Sequence, residues 1–326
     1  MKKYTVKQYQ SENAVIWNEF VAHAKNATFL FHRDFMEYHK DRFHDFSLLI
    51  FDEKQNLKAI LPANRVGETL FSHQGLTYGA LVLNQKTKLQ EVIEMVATLL
   101  LFLEENEILK WHIKQIPSIY TDVPSDELEY LSFVLKAKIV RKDSLSVINL
   151  HSNFKFSNSR KQEINKGIKN QLVVKEESDF DAFWNQVLIP NLKQKHQTNP
   201  VHSLEEIMGL KANFPNDIRQ FNVYLNNQII AGTTVFESKN VVHSQYISGN
   251  SDTNELGSLD FLHQHLIQEV FSDKKYFDFG ISNENEGKNI NSGLLFWKES
   301  FGARTIVQNF YEFETKNYSL LENVLL

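Results

Sequence analysis

The sequence contains no cysteine, which removes disulfides, thiolate nucleophiles and cysteine-based zinc sites from consideration. Proline is scarce, with 6 in 326 residues, and glycine numbers only 12. A collagen-like or low-complexity disordered chain is incompatible with that composition. Positive charge is not in excess. The net charge is −5 and the sequence pI is near 6.2, so no global field draws in nucleic acid, and DNA is not an expected partner. Long hydrophobic runs are missing as well. The longest, Met95 to Leu103, has nine residues, too short to span a bilayer. The lysines at the amino end are not followed by the apolar segment of a secretory signal. The expectation is a cytoplasmic protein without an integral membrane segment.

What is abundant is apolar. Hydrophobic residues make up 42% of the chain and 25 of them are Phe, enough for real cores. The length suits two domains of about 150 residues each. Periodicity and turn signals in the first half predict helices over 14–24 and 33–42 and a strand over 46–52. Two strands follow in "LKAILPANRV" and "TLFSHQG", then a helix over 89–105, a strand in "ILKWHIKQI", a helix in "SDELEYLSFVL" and a closing strand or strand pair in "KIVRKDSLSVINL". The second half repeats that order. It has a basic helix over 157–170, a strand, helices over 179–193 and 203–212, and three strands. A helix over 258–271, the strand "YFDFG", a helix within "NSGLLFWKESFGAR" and a final strand complete it. Asn291 or Ser292 is placed to cap that last helix and Gly302 to end it. The stretch Asn56–Gly79 lies on Asn226–Gly249 without a gap, with His73 on His243. The polar segment "NLHSNFKFSNS" marks the boundary, giving units 1–152 and 153–326.

Helices, a three-stranded meander, helix, strand, helix and strand is the order of the GNAT (acyl-CoA N-acyltransferase-like) fold. With "SNSRKQEINKGIKN", "GSLDFLHQHLIQEV", "YFDFGIS" and "GLLFWKESFGAR", the chain resembles the Fem peptidyltransferases and their FemAB-like relatives. The fold implied is α/β (α+β): tandem GNAT-like units, each a mixed, mostly antiparallel sheet flanked by helices. The function implied is transfer of an acyl or aminoacyl group to an amine acceptor held between the two units, in cell-envelope or surface-polysaccharide metabolism. Acyl-CoA or aminoacyl-tRNA is the donor the resemblance implies. A peptidoglycan precursor, a nucleotide-sugar or another small amine is the acceptor, and no metal is expected.

Two departures stand against this. The phosphate-binding loop of acetyl-CoA enzymes is replaced by "GNSDTNELGSLDF", with Asp252 and Glu255 ahead of the helix, and the helical tRNA arm is missing. They support the alternative of a non-catalytic ligand-binding protein that kept the fold and lost the donor loop. A metal-dependent hydrolase has no carboxylate–His cluster with ligand spacing to support it.

Individual residues carry two readings each. Lys298 lies beside the apolar face of Leu294, Trp297 and Phe301. It is either a snorkelling end-of-helix cation or a fixed ammonium for a phosphate or a developing oxyanion, the role the resemblance implies. Asp278 shares a strand face with Tyr276 and Gly280, as an ion-pair partner or as the group orienting Lys298 or the acceptor amine. His243 joins them as a catalytic candidate. Arg160 and Lys161 belong to a basic helix that is a solvated face or an anion-docking site. His196 and His202 lie six residues apart across a proline, which suits a general base better than a zinc pair. His73, Gln74, Thr77 and Tyr78, with Gln245 and Tyr246, are strand-end packing groups or acceptor-recognition groups.

Overall fold

The computed structural model describes residues 3–325, apart from the side chain of His196. The chain forms two compact units, Met1–Asp143 with Val307–Leu326, and Ser144–Ile306. The expected boundary at 152/153 falls inside the second unit, and the C-terminal segment groups with the first.

The first unit holds β1 (Tyr4–Gln8), α1 (Ala14–Ala22), α2 (Arg33–Met36), β2 (Leu48–Asp52), β3 (Leu57–Leu61), β4 (Asn64–Val66), β5 (Thr69–Phe71) and β6 (Val82–Leu83). It continues through α3 (Leu89–Glu105), β7 (Lys110–Lys114) and α4 (Glu127–Val134) into β8 (Lys138–Asn149), within which the chain passes to the second unit. In α3, Val92, Ile93, Met95, Val96, Leu99, Leu100 and Leu103 recur at helical spacing and are all buried. The stretch expected as one strand, "LKAILPANRV", breaks at Pro62. β3 joins the sheet β1-β2-β3-β6, whereas β4 forms a hairpin with β5 that lies next to β7. Proline has no N–H to continue a ladder, which is the local reason for the break.

The second unit holds α5 (Asn158–Lys169), β9 (Val173–Glu177), α6 (Asp181–Phe183), α7 (Ile189–His196), α8 (Leu204–Asn213), β10 (Ile218–Leu225), β11 (Gln228–Glu237) and β12 (Val241–Gly249). It continues with α9 (Thr253–Leu256), α10 (Ser258–His265), β13 (Tyr276–Ile281), β14 (Asn283–Glu284), β15 (Asn289–Ile290) and α11 (Ser292–Ser300). The chain returns to the first unit within β16 (Arg304–Glu314). Helices α6 and α7 are one expected helix interrupted by a wider π-turn at Trp184–Leu188, and a second π-turn at Leu266–Val270 extends α10.

The sheet of this unit runs β8-β13-β12-β11-β10-β9, antiparallel except for the β12–β13 pair. One face carries the apolar core, with Phe221, Val235, Val242 and Phe277 packed with Leu262, Leu266 and Phe301. Asn291 caps α11 by accepting from the Leu294 N–H at 3.0 Å, and Gly302 follows it at φ 94°. No helix is long and apolar enough to cross a membrane among the described residues.

Candidate active site

A parallel strand pair of the second unit positions the candidate site. β12 and β13 are joined only from Val241↔Tyr276 to His243↔Asp278 and then separate. His243 and Asp278 therefore stand together at the vertex of a V. Directly opposed strand residues share a face, which brings the two side chains together. His243 Nδ1 lies 3.0 Å from Asp278 Oδ2. The other carboxylate oxygen accepts the Gly280 N–H at 2.7 Å. Asp278 is fully buried, and bonding of its carboxylate to the ring fixes the tautomer that leaves Nε2 as the lone-pair nitrogen. Gly280 adopts φ 70°, and a Cβ there would lie 3.1 Å from His243 Cε1. Glycine is thus required both for the turn and for the approach of the ring.

Lys298 neither snorkels nor lies free. It is 2% exposed and its ammonium donates to Gly280 O at 3.1 Å and Ile281 O at 2.6 Å, the carbonyls of the bend that follows Asp278. Burial pushes its pKa down to about 8, partly offset by the charge of Asp278. Asp278, His243, Gly280 and Lys298 form one contiguous cluster.

Farther along β12 lies a cavity of about 520 Å³, whose lining includes none of His243, Asp278, Gly280 or Lys298. Ile247, Ser248 and Gly249 of β12 line it on one side, and Leu294, Phe296 and Trp297 of α11 on another. Arg160 reaches it from α5. It is buried in an ion pair with Asp260, donates to Ser300 Oγ at 2.8 Å and stacks over the rings of Phe301 and Trp297. Trp297 Nε1–H donates to Asp260 at 2.9 Å. Burial lowers the Arg160 pKa to about 10, so the guanidinium remains charged at neutral pH. Helical geometry turns Arg160 inward and leaves Lys161 exposed. His263 sits behind this wall among Phe279, Trp297 and Phe301. Its Nδ1 bonds Leu259 O at 2.8 Å, and burial drives its pKa to about 4, keeping it neutral.

Tyr246 and His202 pair with each other, with His202 Nδ1 2.6 Å from the phenol oxygen. Burial raises the Tyr246 pKa to about 12. Gln245 is the extra residue where the β11–β12 register shifts, and its buried Oε1 has no hydrogen-bond partner. The side chain of His196 lies outside the described residues.

Of the candidates in the first unit, His73 and Tyr78 are buried, Thr77 is half-buried and Gln74 is exposed. His73 is 4% exposed at φ 63°, stacked on His39 with centroids 4.8 Å apart, and burial holds its pKa near 3. Gln74 exchanges two 2.8 Å hydrogen bonds with Asn64, and Thr77 O accepts from Gln308 at 3.3 Å. Tyr78 is buried with its hydroxyl 2.9 Å from Thr28 Oγ1. The gapless superposition also misaligned the two strands. The first unit's parallel ladder runs from Thr69↔Lys110 to Phe71↔His112, so the position matching His243 is Phe71, and His73 lies beyond the strand.

Sequence reading missed Asp260, Trp297, Asn191, Ser248 and Lys195 as cavity residues. They come from separate elements, and no local spacing links them.

Residues 158–288 match the family model described as the acetyltransferase (GNAT) domain. Among solved structures the chain is similar to FemX, with a TM-score of 0.67 at 9% identity, over 98% of this chain and 100% of that one. The chain has a FemAB-like tandem GNAT fold. It is also similar to L-PGS from Bacillus licheniformis, with a TM-score of 0.59 and 11% identity over 96% and 93% of the two chains. A further similar structure is the C-terminal domain of a provisionally named lysylphosphatidylglycerol synthetase from Agrobacterium fabrum, with a TM-score of 0.59 and 13% identity over 95% and 94%. Comparison with curated protein sequences finds no match.

Proposed function

We propose that the second unit transfers an acyl group from an activated donor to an amine. The observation that carries this reading is the buried His243–Asp278 pair where β12 and β13 part, with a cavity farther along β12, inside a stretch that matches an acetyltransferase domain. The chemistry needs an amine freed of its proton and a stabilised oxyanion. His243 Nε2 takes the proton, and Asp278 holds the ring in register and stabilises the imidazolium that forms. Lys298 spends two N–H groups on the Gly280 and Ile281 carbonyls, and its remaining donor and its charge serve the oxyanion. From Ile247 on the cavity wall to His243 is four strand residues, roughly 13 Å, so an extended donor reaches from the cavity towards the vertex.

For substrates, the Fem-like resemblance supports an aminoacyl or acyl donor and an amine on a peptidoglycan precursor or nucleotide-sugar. The direct test incubates the protein with acyl-CoAs, acyl thioesters or charged tRNA and a panel of primary amines, and reads N-acylated product by mass spectrometry. Product that disappears in His243→Gln supports the reading. Donor binding without product from any amine would favour the non-catalytic alternative.

A further inference from the structure

We propose that Lys114 is a reactive amine of the first unit, at which activated acyl groups, acyl phosphates and thioesters, modify the chain itself. Lys114 belongs to the first unit, so this holds whether or not the second unit transfers acyl groups. Three features of its surroundings converge on that chemistry.

The first is a second cation without a spare carboxylate. Phe310 is the direct partner of Lys114 across the β7–β16 ladder. Lys114 Nζ lies 5.9 Å from the centre of that ring and Arg141 Cζ lies 4.8 Å from it. Two cations thus share one aromatic ring. Asp143, whose charge favours the ammonium, is taken by Arg141 through hydrogen bonds of 2.9 and 2.8 Å. Lys114 forms no ion pair among the described residues, whereas Lys25, Lys58 and Lys110 of the same unit each pair with a glutamate. His112, the next residue on its strand face, is turned to Glu312 at 2.7 Å. A guanidinium keeps its proton in a protein, so the amine is the group that can relieve the repulsion. A desolvated lysine beside another cation is the form in which this side chain becomes a nucleophile.

The second is the nitrogen itself. Burial first, and then the Arg141 charge, push its pKa down to about 8, with Asp143 acting the other way. A neutral amine has two N–H groups and one lone pair. Leu76 O accepts one N–H at 3.1 Å, which fixes the nitrogen and leaves the lone pair for an electrophile.

The third is access. Lys114 is half-buried. Lys298 has the same lowered pKa, but it is 2% exposed and gives N–H groups to two carbonyls. Low basicity and access therefore coincide at Lys114 and not at Lys298.

In the reaction the amine nitrogen attacks the acyl carbonyl carbon. The C–N bond forms, and the bond to the phosphate oxygen or thioester sulfur breaks with its electron pair on that atom. The proton lost by nitrogen ends on the departing group, and the product is an uncharged amide.

Acetylation of the folded full chain by acetyl phosphate from pH 6 to 10, read lysine by lysine with peptide mass spectrometry, tests this. At pH 7 an amine of pKa about 8 is roughly 10% free base, against roughly 0.04% for an ordinary lysine. Lower basicity gives back roughly a factor of ten of that advantage, as it does for thiols. Lys114 is therefore expected to react at least about ten-fold faster than Lys161 and Lys169, which are exposed on α5. Its rate is expected to level off above about pH 8. Lys298 is expected to stay unmodified while the chain is folded. Arg141→Met removes the second cation and frees Asp143 for Lys114, and is expected to slow Lys114 at least about three-fold at pH 7. Arg141→Lys keeps the cation and is expected to hold the rate within about two-fold. Equal rates at Lys114 and the exposed lysines, a Lys298 rate matching that of Lys114, or an unchanged Lys114 rate in folded Arg141→Met would overturn the proposal. The comparison among lysines of the parent protein decides the outcome even where a variant does not fold.

Discussion

The two units build the same parallel strand pair and finish it differently. In the first, the pair β5–β7 ends at Phe71↔His112, and the chain itself then closes the gap. Lys114 N–H donates to Ser72 Oγ at 3.0 Å, Gly79 N–H donates to Lys114 O at 2.6 Å, and a bridge joins Gly79 to Gln115. In the second, β12 and β13 part after His243↔Asp278, and β12 goes on to line the cavity. Each pair has a lysine beside it whose pKa burial pushes down to about 8, Lys298 buried and Lys114 half-buried. Lys114 donates to Leu76 O within the plugged gap, whereas Lys298 braces the bend next to the His243–Asp278 pair. In the first unit the backbone thus fills the V, whereas in the second β12 goes on to line a cavity.

The largest effect that would break this comparison is on turnover. Asp278→Asn keeps the shape of the buried carboxylate but removes its charge, and His243→Gln removes the base. Each is expected to lower kcat/KM by about 10²–10⁴ in an N-acylation assay. Phe71→Leu, at the equivalent position of the first unit, is expected to leave kcat/KM within about two-fold. Equal losses from both units would erase the asymmetry.

Gly79→Ala tests the plug. A Cβ there would lie 2.0 Å from Ser72 O, a backbone atom that cannot swing aside. A loss of about 3 kcal/mol in urea unfolding is expected. A loss near zero would show that the first unit's gap is slack.

The pH dependence separates the two lysines. Below about pH 8 Lys298 is charged, so turnover is expected to fall as pH rises through about 8. Stability moves the other way. The folded value lies below the ordinary 10.5, the unfolded chain binds more protons between the two, and stability rises over that window. Lys298→Met and Lys114→Met are each expected to reduce that rise in urea melts. Only Lys298→Met is expected to alter the activity profile.

The smallest effect is at His73. Its folded pKa near 3 arises first from burial and then from His39. Its contribution to stability is therefore lost as pH falls from about 6.5 towards 3. Asn tolerates the positive φ, so His73→Asn is expected to change stability by under about 1 kcal/mol at pH 7 and to soften the acid limb.

Much of the fold was legible because it is local. The helix Leu89–Glu105 and the strand Lys110–Lys114 follow from apolar spacing alone. The tandem order also survives in the sequence. What was not legible depends on register and on side-chain direction. The partnership of His243 with Asp278 is set by where a parallel ladder stops, 35 residues apart in sequence. The inward turn of Lys298 is set by two carbonyls freed at a glycine bend. The cavity gathers Asn191, Ser248, Asp260 and Trp297 from different elements, which no periodicity in one segment reveals. For residues 73–78 the sequence left packing and recognition both open; in the structure Gln74, Tyr78 and the Thr77 carbonyl make hydrogen bonds within the first unit.

The most direct measurement is single-turnover N-acylation, followed by mass spectrometry from pH 6 to 10, with the parent protein and His243→Gln side by side. The account predicts product with the parent, declining above about pH 8, and a loss of at least about 100-fold with His243→Gln. Product formed at the parent rate by His243→Gln would contradict it.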